Sequence, residues 1–117
     1  MSTADTDCLF CRIASGDIPA DIVAESALSL AFRDLNPQAP THVLVIPRRH
    51  SPTLPELAAD DSASAVDVLT LARQVALAEG LQAGYRVVFN NGAAAQQTVF
   101  HAHVHVLGGR DLTWPPG

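Results

Sequence analysis

His101-Ala102-His103-Val104-His105-Val106-Leu107 alternates imidazole and small apolar side chains without a break. Successive side chains of a strand point to opposite faces. The run therefore predicts a strand over 100–107, with three histidines on one face and Ala102, Val104 and Val106 on the other, against a core. Neighbouring histidines then stand about 6.6 Å apart, and the outer two about 13 Å. Two imidazoles at that spacing reach a common metal through bonds of about 2 Å, whereas three in a row do not. The face admits three readings. It is a polar strand surface, a metal-dependent centre using His101 and His103 as ligands, or a catalytic array. In the array one imidazole is nucleophile or base, and its neighbours orient it and protonate a leaving group.

Working outward, Gly108-Gly109 ends this strand and Trp114-Pro115-Pro116-Gly117 forms an irregular tail. Upstream, 85–89 reads as a strand, Asn90-Asn91-Gly92 as a turn and 93–98 as a loop. A long helix over 63–79 starts at Asp60-Asp61-Ser62 and ends at Gly80, with Val66, Leu69, Ala72 and Ala76 as its packing face. The β-branched run 43–46 is a buried strand stopped by Pro47. The two prolines of Asn36-Pro37-Gln38-Ala39-Pro40 force a loop before it. Strands at 22–25 and 28–33 flank a turn at Glu25-Ser26. A short helix over 7–15 is capped by Asp7 and ended by Gly16. Residues 1–6 form a flexible N-terminus and 7–117 a single domain. The strands are mostly too close in sequence for helical crossovers. The expected fold is α+β: a five-stranded antiparallel sheet with one long and one short helix on one side.

The chain has 117 residues, enough for one core and one site. Seven basic residues, all arginine, face twelve acidic ones, for a net charge of −5. That balance excludes a nonspecific nucleic-acid binder, which needs a basic face, but leaves room for a single nucleotide. No apolar stretch approaches the roughly 20 residues of a membrane helix, and no secretory leader is visible. A cytoplasmic protein is expected, and its two cysteines then serve as thiols or metal ligands rather than a disulfide.

His101 to Leu107 resembles the His-φ-His-φ-His-φ-φ signature of the histidine triad (HIT) proteins. The run from Asp34 to Pro47, Gly108-Gly109-Arg110, the Trp-Pro-Pro-Gly tail and the segment from Phe10 to Pro19 are similar to the Hint branch, the purine nucleoside phosphoramidases. The resemblance spans about residues 8–117. It implies a homodimer with one continuous sheet, and hydrolysis of adenosine 5′-phosphoramidates and their kin to a monophosphate and an amine without a catalytic metal. By position, His103 is the nucleophile at the α-phosphorus, His105 contacts the phosphate, and His42 relays a proton. Asn90 and Thr98 supply donors around the phosphate, with Gln97 close by in the substrate site, Thr98 where a serine is usual in animal members and Gln96 where they have glycine. Asp34 grips the ribose hydroxyls. Phe10, Ile13, Ile18, Phe32, Leu35 and Val99 form the slot for the purine. Two competing readings are a dinucleoside polyphosphate hydrolase of the same family, which the tail disfavours, and a nucleotide- or zinc-binding interaction module.

Cys8-Leu9-Phe10-Cys11 is a Cys-x-x-Cys at a helix start. A thioredoxin-like redox pair would want a βαβ context, which is missing. Two buried thiols, or half of a zinc site, remain; zinc needs two further ligands, and histidines are available. Microbial HIT proteins carry structural zinc on two such cysteines, the histidine after the Ile-Pro-x-x segment and the first triad histidine. The resemblance thus implies zinc on Cys8, Cys11, His50 and His101, a closed Cys₂His₂ set.

Overall fold

A computed structural model describes residues 7–117; the expected flexible segment 1–6 lies outside the described residues. Five strands form one sheet: β1 (Ile22–Glu25), β2 (Ser29–Arg33), β3 (Thr41–Pro47), β4 (Arg86–Val88) and β5 (Val104–Gly108). Their spatial order is β1-β2-β3-β5-β4, and every pairing is antiparallel. Three α-helices accompany them: α1 (Leu9–Ser15), α2 (Leu54–Asp60) and α3 (Ser62–Ala78). Among the described residues, no helix is long and apolar enough to cross a membrane.

The two sheet faces bury separate apolar clusters. Ala31, Val43, Val45, Val104 and Val106 pack under α2 and α3, while Leu30, Phe32, Leu44 and Ile46 pack under α1. Period-two alternation along β2 and β3 explains the division. It also corrects one expectation: α1 and α3 lie on opposite faces rather than together. Both faces of β3 are covered, so its apolar run is continuous. Pro47 does not stop this strand short. It is the last strand residue and pairs with Ser29.

Local signals account for most helix ends. Gly16 closes α1 with φ of 87°, the left-handed conformation glycine adopts without a Cβ penalty. The N-cap of α1 is Cys8 rather than Asp7: its sulfur accepts from the Cys11 amide. Asp61 caps α3 as expected, accepting from the Ser64 amide. The helix α2 was not anticipated, although Thr53-Leu54-Pro55-Glu56 carries its start signal. Thr53 caps it, Pro55 lies in the first turn, and the Glu56 amide donates to the Thr53 hydroxyl.

The face of α3 also differs from expectation. Ala72 and Ala76 are buried as expected, but Val66 and Leu69 are 63% and 47% exposed, and Ala65, Val68, Leu71 and Val75 complete the buried face in their place. Apolar residues surround this helix so densely that two stripes fit its period, and only packing chooses between them.

Past β5 the chain passes tightly over its neighbours. A Cβ on Gly108 would stand 2.6 Å from Cδ1 of Leu81, a buried side chain in the cluster under α3. The Leu81 side chain, 6% exposed, must shift to admit it, so Gly108→Ala should cost about 1 kcal/mol through overpacking. A urea unfolding midpoint unchanged from wild type would contradict that reading of the corner.

Candidate active site and metal centre

The histidine alternation survives although the ladder of β5 begins only at Val104. Ala102, Val104 and Val106 enter the core, and the imidazoles of His101, His103 and His105 lie toward α1 and β3. His101 is drawn away from the sheet pairing to a separate task.

His101 is fully buried, and its Nε2–H donates to the carbonyl of Pro47 at 2.8 Å. That bond leaves Nδ1 unprotonated, since a carbonyl can only accept. Nδ1 stands 3.4 Å from Sγ of both Cys8 and Cys11, and 3.2 Å from Nδ1 of His50. Cys11 Sγ is 3.3 Å from His50 Nδ1. A tetrahedral ion with bonds of roughly 2.0–2.3 Å sets its ligand atoms about 3.3–3.8 Å apart; three of these separations lie at the tight end of that range and the 3.2 Å pair just below it. Burial pushes His101 down to about 4, which keeps it neutral as ligation requires. Two thiols and two imidazoles with no open position suit a structural Zn²⁺. Among the described residues, His103 belongs to neither group of potential ligands. The alternative of a metal shared by His101 and His103 is therefore not what the fold builds.

His103 donates from Nδ1–H to the carbonyl of His101 at 2.7 Å. Its Nε2 therefore carries the free lone pair. Burial lowers its pKa, so the ring stays neutral near pH 7. Beside it, 5.1 Å between ring centroids, is His105. The amide of Gln38 donates to Nδ1 of His42 at 3.0 Å, so neutral His42 bears its proton on Nε2. That proton points at Nδ1 of His105, 2.9 Å away, leaving His105 with Nε2–H as an outward donor. One backbone amide thus orders two imidazoles in series.

Asp34 does two things. Oδ1 accepts from the Asn36 amide at 2.8 Å and closes a turn at the end of β2, while Oδ2 lies 3.5 Å from Nε2 of His42. The carboxylate retains lone pairs for further donors. Phe10 contacts Phe32 and His103 edge-on, with centroids 5.5 and 5.0 Å apart. Ile13 is buried with them, and Ile18 and Val99 pack at the margin of the same cluster. Leu35 is not brought there; it is fully exposed at 100%.

Asn90 is half-buried just after β4, and Thr98 is exposed. Gln97 is buried, and its amide is occupied: Oε1 accepts from Gly92, and Nε2 donates to the carbonyls of Pro52 and Val99. It staples the loop, and its amide has no N–H left for a phosphate. Gln96 has φ of 69°, a left-handed conformation that glycine would adopt without a Cβ penalty.

Two contributors were not anticipated. The Gln38 amide carries no side-chain signal and could not be read. Arg110 donates to the Gln38 carbonyl at 3.0 Å, and Gly109, with φ of 90°, lets that clasp cross Pro40 at contact distance. The Gly-Gly before Arg110 was the available hint.

Burial pushes His105 from 6.5 to about 4 and lowers His42 against the opposing pull of Asp34. The unfolded chain thus binds more protons than the native one between pH 6.5 and 4, and stability rises with pH there. Urea midpoints should fall as pH drops below 6.5 and level off near 4. His105→Asn should show a shallower fall than wild type; an identical slope in the two proteins would count against this assignment.

The HIT domain family matches residues 15–112. An uncharacterised HIT-like protein of Synechococcus elongatus is 50% identical over 111 residues, covering 95% of this chain and 97% of that protein. A 14 kDa zinc-binding protein of Zea mays is 44% identical over 115 residues, covering 97% and 90%. The crystal structure of a HIT family hydrolase from Legionella pneumophila superposes with a TM-score of 0.90 at 52% identity, covering 95% of this chain and all of that one. With the triad, the fold and these relatives in agreement, the chain belongs to the HIT domain family.

Proposed function

We propose that this protein is a hydrolase of purine nucleoside 5′-phosphoramidates, of the Hint branch, acting through a nucleotidyl-histidine on His103. The observation that carries the reading is the His103 ring itself. Its Nδ1–H is tied to the His101 carbonyl, its Nε2 lone pair is free, and an Nε2–H donor on His105 stands alongside. The hydrolase from Legionella supports the general class.

In the reaction, Nε2 of His103 attacks the α-phosphorus and forms a P–N bond. The bond to the leaving amine breaks, and its electron pair stays on the amine nitrogen, which takes a proton through the His42–His105 relay. Water then attacks phosphorus and gives a proton back to the His42–His105 relay, the bond from phosphorus to His103 Nε2 breaks with its electron pair returning to the ring, and the monophosphate leaves with His103 neutral. His105 Nε2–H contacts a phosphate oxygen, Asp34 receives the ribose hydroxyls, and the Phe10–Phe32 wall takes the base. Thr98 and Asn90 supply donors. Zinc, when bound by Cys8, Cys11, His50 and His101, holds the fold together; the maize relative, named a zinc-binding protein, supports that identity.

The reading places residues 7–117 as a single HIT domain in a cytoplasmic homodimer. The outer side of β4 is a sheet edge. Beside it lies a cleft of about 510 Å³ lined by Tyr85, Arg86 and Arg110 among others. Phe89 and Trp114, with the stripe of Val66, Leu69 and Leu77 on α3, leave apolar area that a second copy can cover.

The test is AMP formation from adenosine 5′-phosphoramidate, followed by mass spectrometry with and without a strong chelator, beside a diadenosine polyphosphate. Prompt turnover of the phosphoramidate that outlasts brief chelation is expected. Preference for the polyphosphate would move the protein to the other branch, and nucleotide binding without turnover would make it a binding module.

A further inference from the structure

Besides His105, two contacts set the His103 ring, one from a residue of the metal knot and one from the residue held between its cysteines. The first is the His101 carbonyl, which accepts from His103 Nδ1–H at 2.7 Å, while the same residue's imidazole faces the two thiols. The second is Phe10, which lies between Cys8 and Cys11 in sequence. Its ring meets His103 and His101 edge-on, with centroids 5.0 and 6.0 Å apart. The helix that carries Phe10 has seven residues, too few to persist without tertiary anchoring. Its anchors are the apolar faces of Phe10 and Ile13 and the two sulfurs.

We propose that Cys8, Cys11, His50 and His101 are positioning residues for His103, so that zinc and nucleotide bind with positive coupling. The proposal rests on the nucleotide reading above and deepens it. A nucleotide that packs its base on Phe10 and its phosphate on His103 needs α1 docked and the His101 backbone in place. Zinc needs the same arrangement, because it closes Cys8 and Cys11 onto His50 and His101. Each ligand therefore bears the ordering cost that the other would otherwise bear. Linkage requires the two effects to be equal: whatever factor zinc adds to nucleotide affinity, the nucleotide adds to zinc affinity.

The experiment measures the zinc dissociation constant of the folded protein against a chromophoric chelator, with and without saturating AMP. AMP with chelator and no protein serves as blank. AMP should tighten zinc by a factor on the order of ten, within the usual range of coupling between sites. Calorimetry should give the same factor for AMP binding to zinc-loaded over zinc-stripped protein. Phe10→Leu keeps all four metal ligands and should shrink the factor, read as the ratio of its own zinc constants with and without AMP; a ratio equal to wild type counts against the proposal.

An unchanged zinc constant, with AMP shown by calorimetry to be bound, overturns the proposal and leaves the proposed function standing. Failure of AMP to bind zinc-loaded protein overturns the nucleotide reading instead. The positioning role then rests on ¹⁵N resonances of the imidazoles. His103 should show one tautomer, protonated at Nδ1, with zinc and a mixture without it. The same single tautomer in both states would refute it.

Discussion

His103→Asn should abolish AMP formation, by a factor on the order of 10⁴ to 10⁶ in kcat, the range seen when a covalent nucleophile is removed from a site that acts as a unit. Asparagine suits the purpose because its amide N–H can still donate to the His101 carbonyl, so the contact that orders this position is kept. What disappears is the Nε2 lone pair. His105→Asn and His42→Asn should lose less, about 10²- to 10⁴-fold, because they remove proton movement and phosphate contact but leave the attacking atom. His42 has the weaker claim of the two, acting through His105 at 2.9 Å. Mass spectrometry of single-turnover mixtures gives a second readout: a nucleotide adduct on His103 in His105→Asn, and none in His103→Asn. Thermal unfolding of all three should stay near wild type. Retention of more than about one part in a hundred of the activity by His103→Asn would remove this residue from the nucleophile's role.

The common face of the triad was legible because the alternation of polar and apolar residues is complete, and a one-residue slip would have put imidazoles into the core; the strand itself takes in only His105 of the three. The same pattern could not show that His101 leaves the ladder. That depends on a carbonyl at Pro47 and two thiols from a distant segment, which no local period encodes. The face of α3 was legible only in part, for the opposite reason: it has so many apolar residues that Val66 and Leu69 fit a stripe with the buried Ala72 and Ala76 as well as Val68 and Val75 do. The Cys₂His₂ cluster was legible because its side-chain chemistry is distinctive. What Gln97 does was not legible, because composition cannot say which amide protons are already taken. Leu35 was expected in the slot from the resemblance alone, and the turn that Asp34 closes with Asn36 leaves it fully exposed at 100%.

Cys11→Ala should remove zinc and release α1 before anything else in the molecule. The two apolar clusters explain the order of events. The cluster under α3 holds Val43, Val45, Val68, Leu71, Val104 and Val106 and contains no metal ligand. The cluster under α1 contains Cys8 and Cys11 themselves. Without the metal, a seven-residue helix keeps only Phe10, Ile13 and their neighbours against the sheet. It also leaves the imidazoles of His50 and His101, 3.2 Å apart, with no ion between them. Structural zinc sites contribute folding free energy directly, on the order of 10 kcal/mol where the metal is the whole core. Here a second, independent cluster limits the loss to several kcal/mol, which for a domain of this size is about 10–20 °C in Tm. Metal analysis should fall from one zinc per chain to none. Protease should cut within 9–20 while α3 and β3 keep their slow amide exchange. His50→Ala should give the same metal loss with a smaller fall in Tm, because His50 is half-buried and belongs to neither apolar cluster. Equal protease resistance in Cys11→Ala and wild type would show that apolar contacts alone hold α1, and collapse of exchange protection across α3 would show that the two layers fold as one.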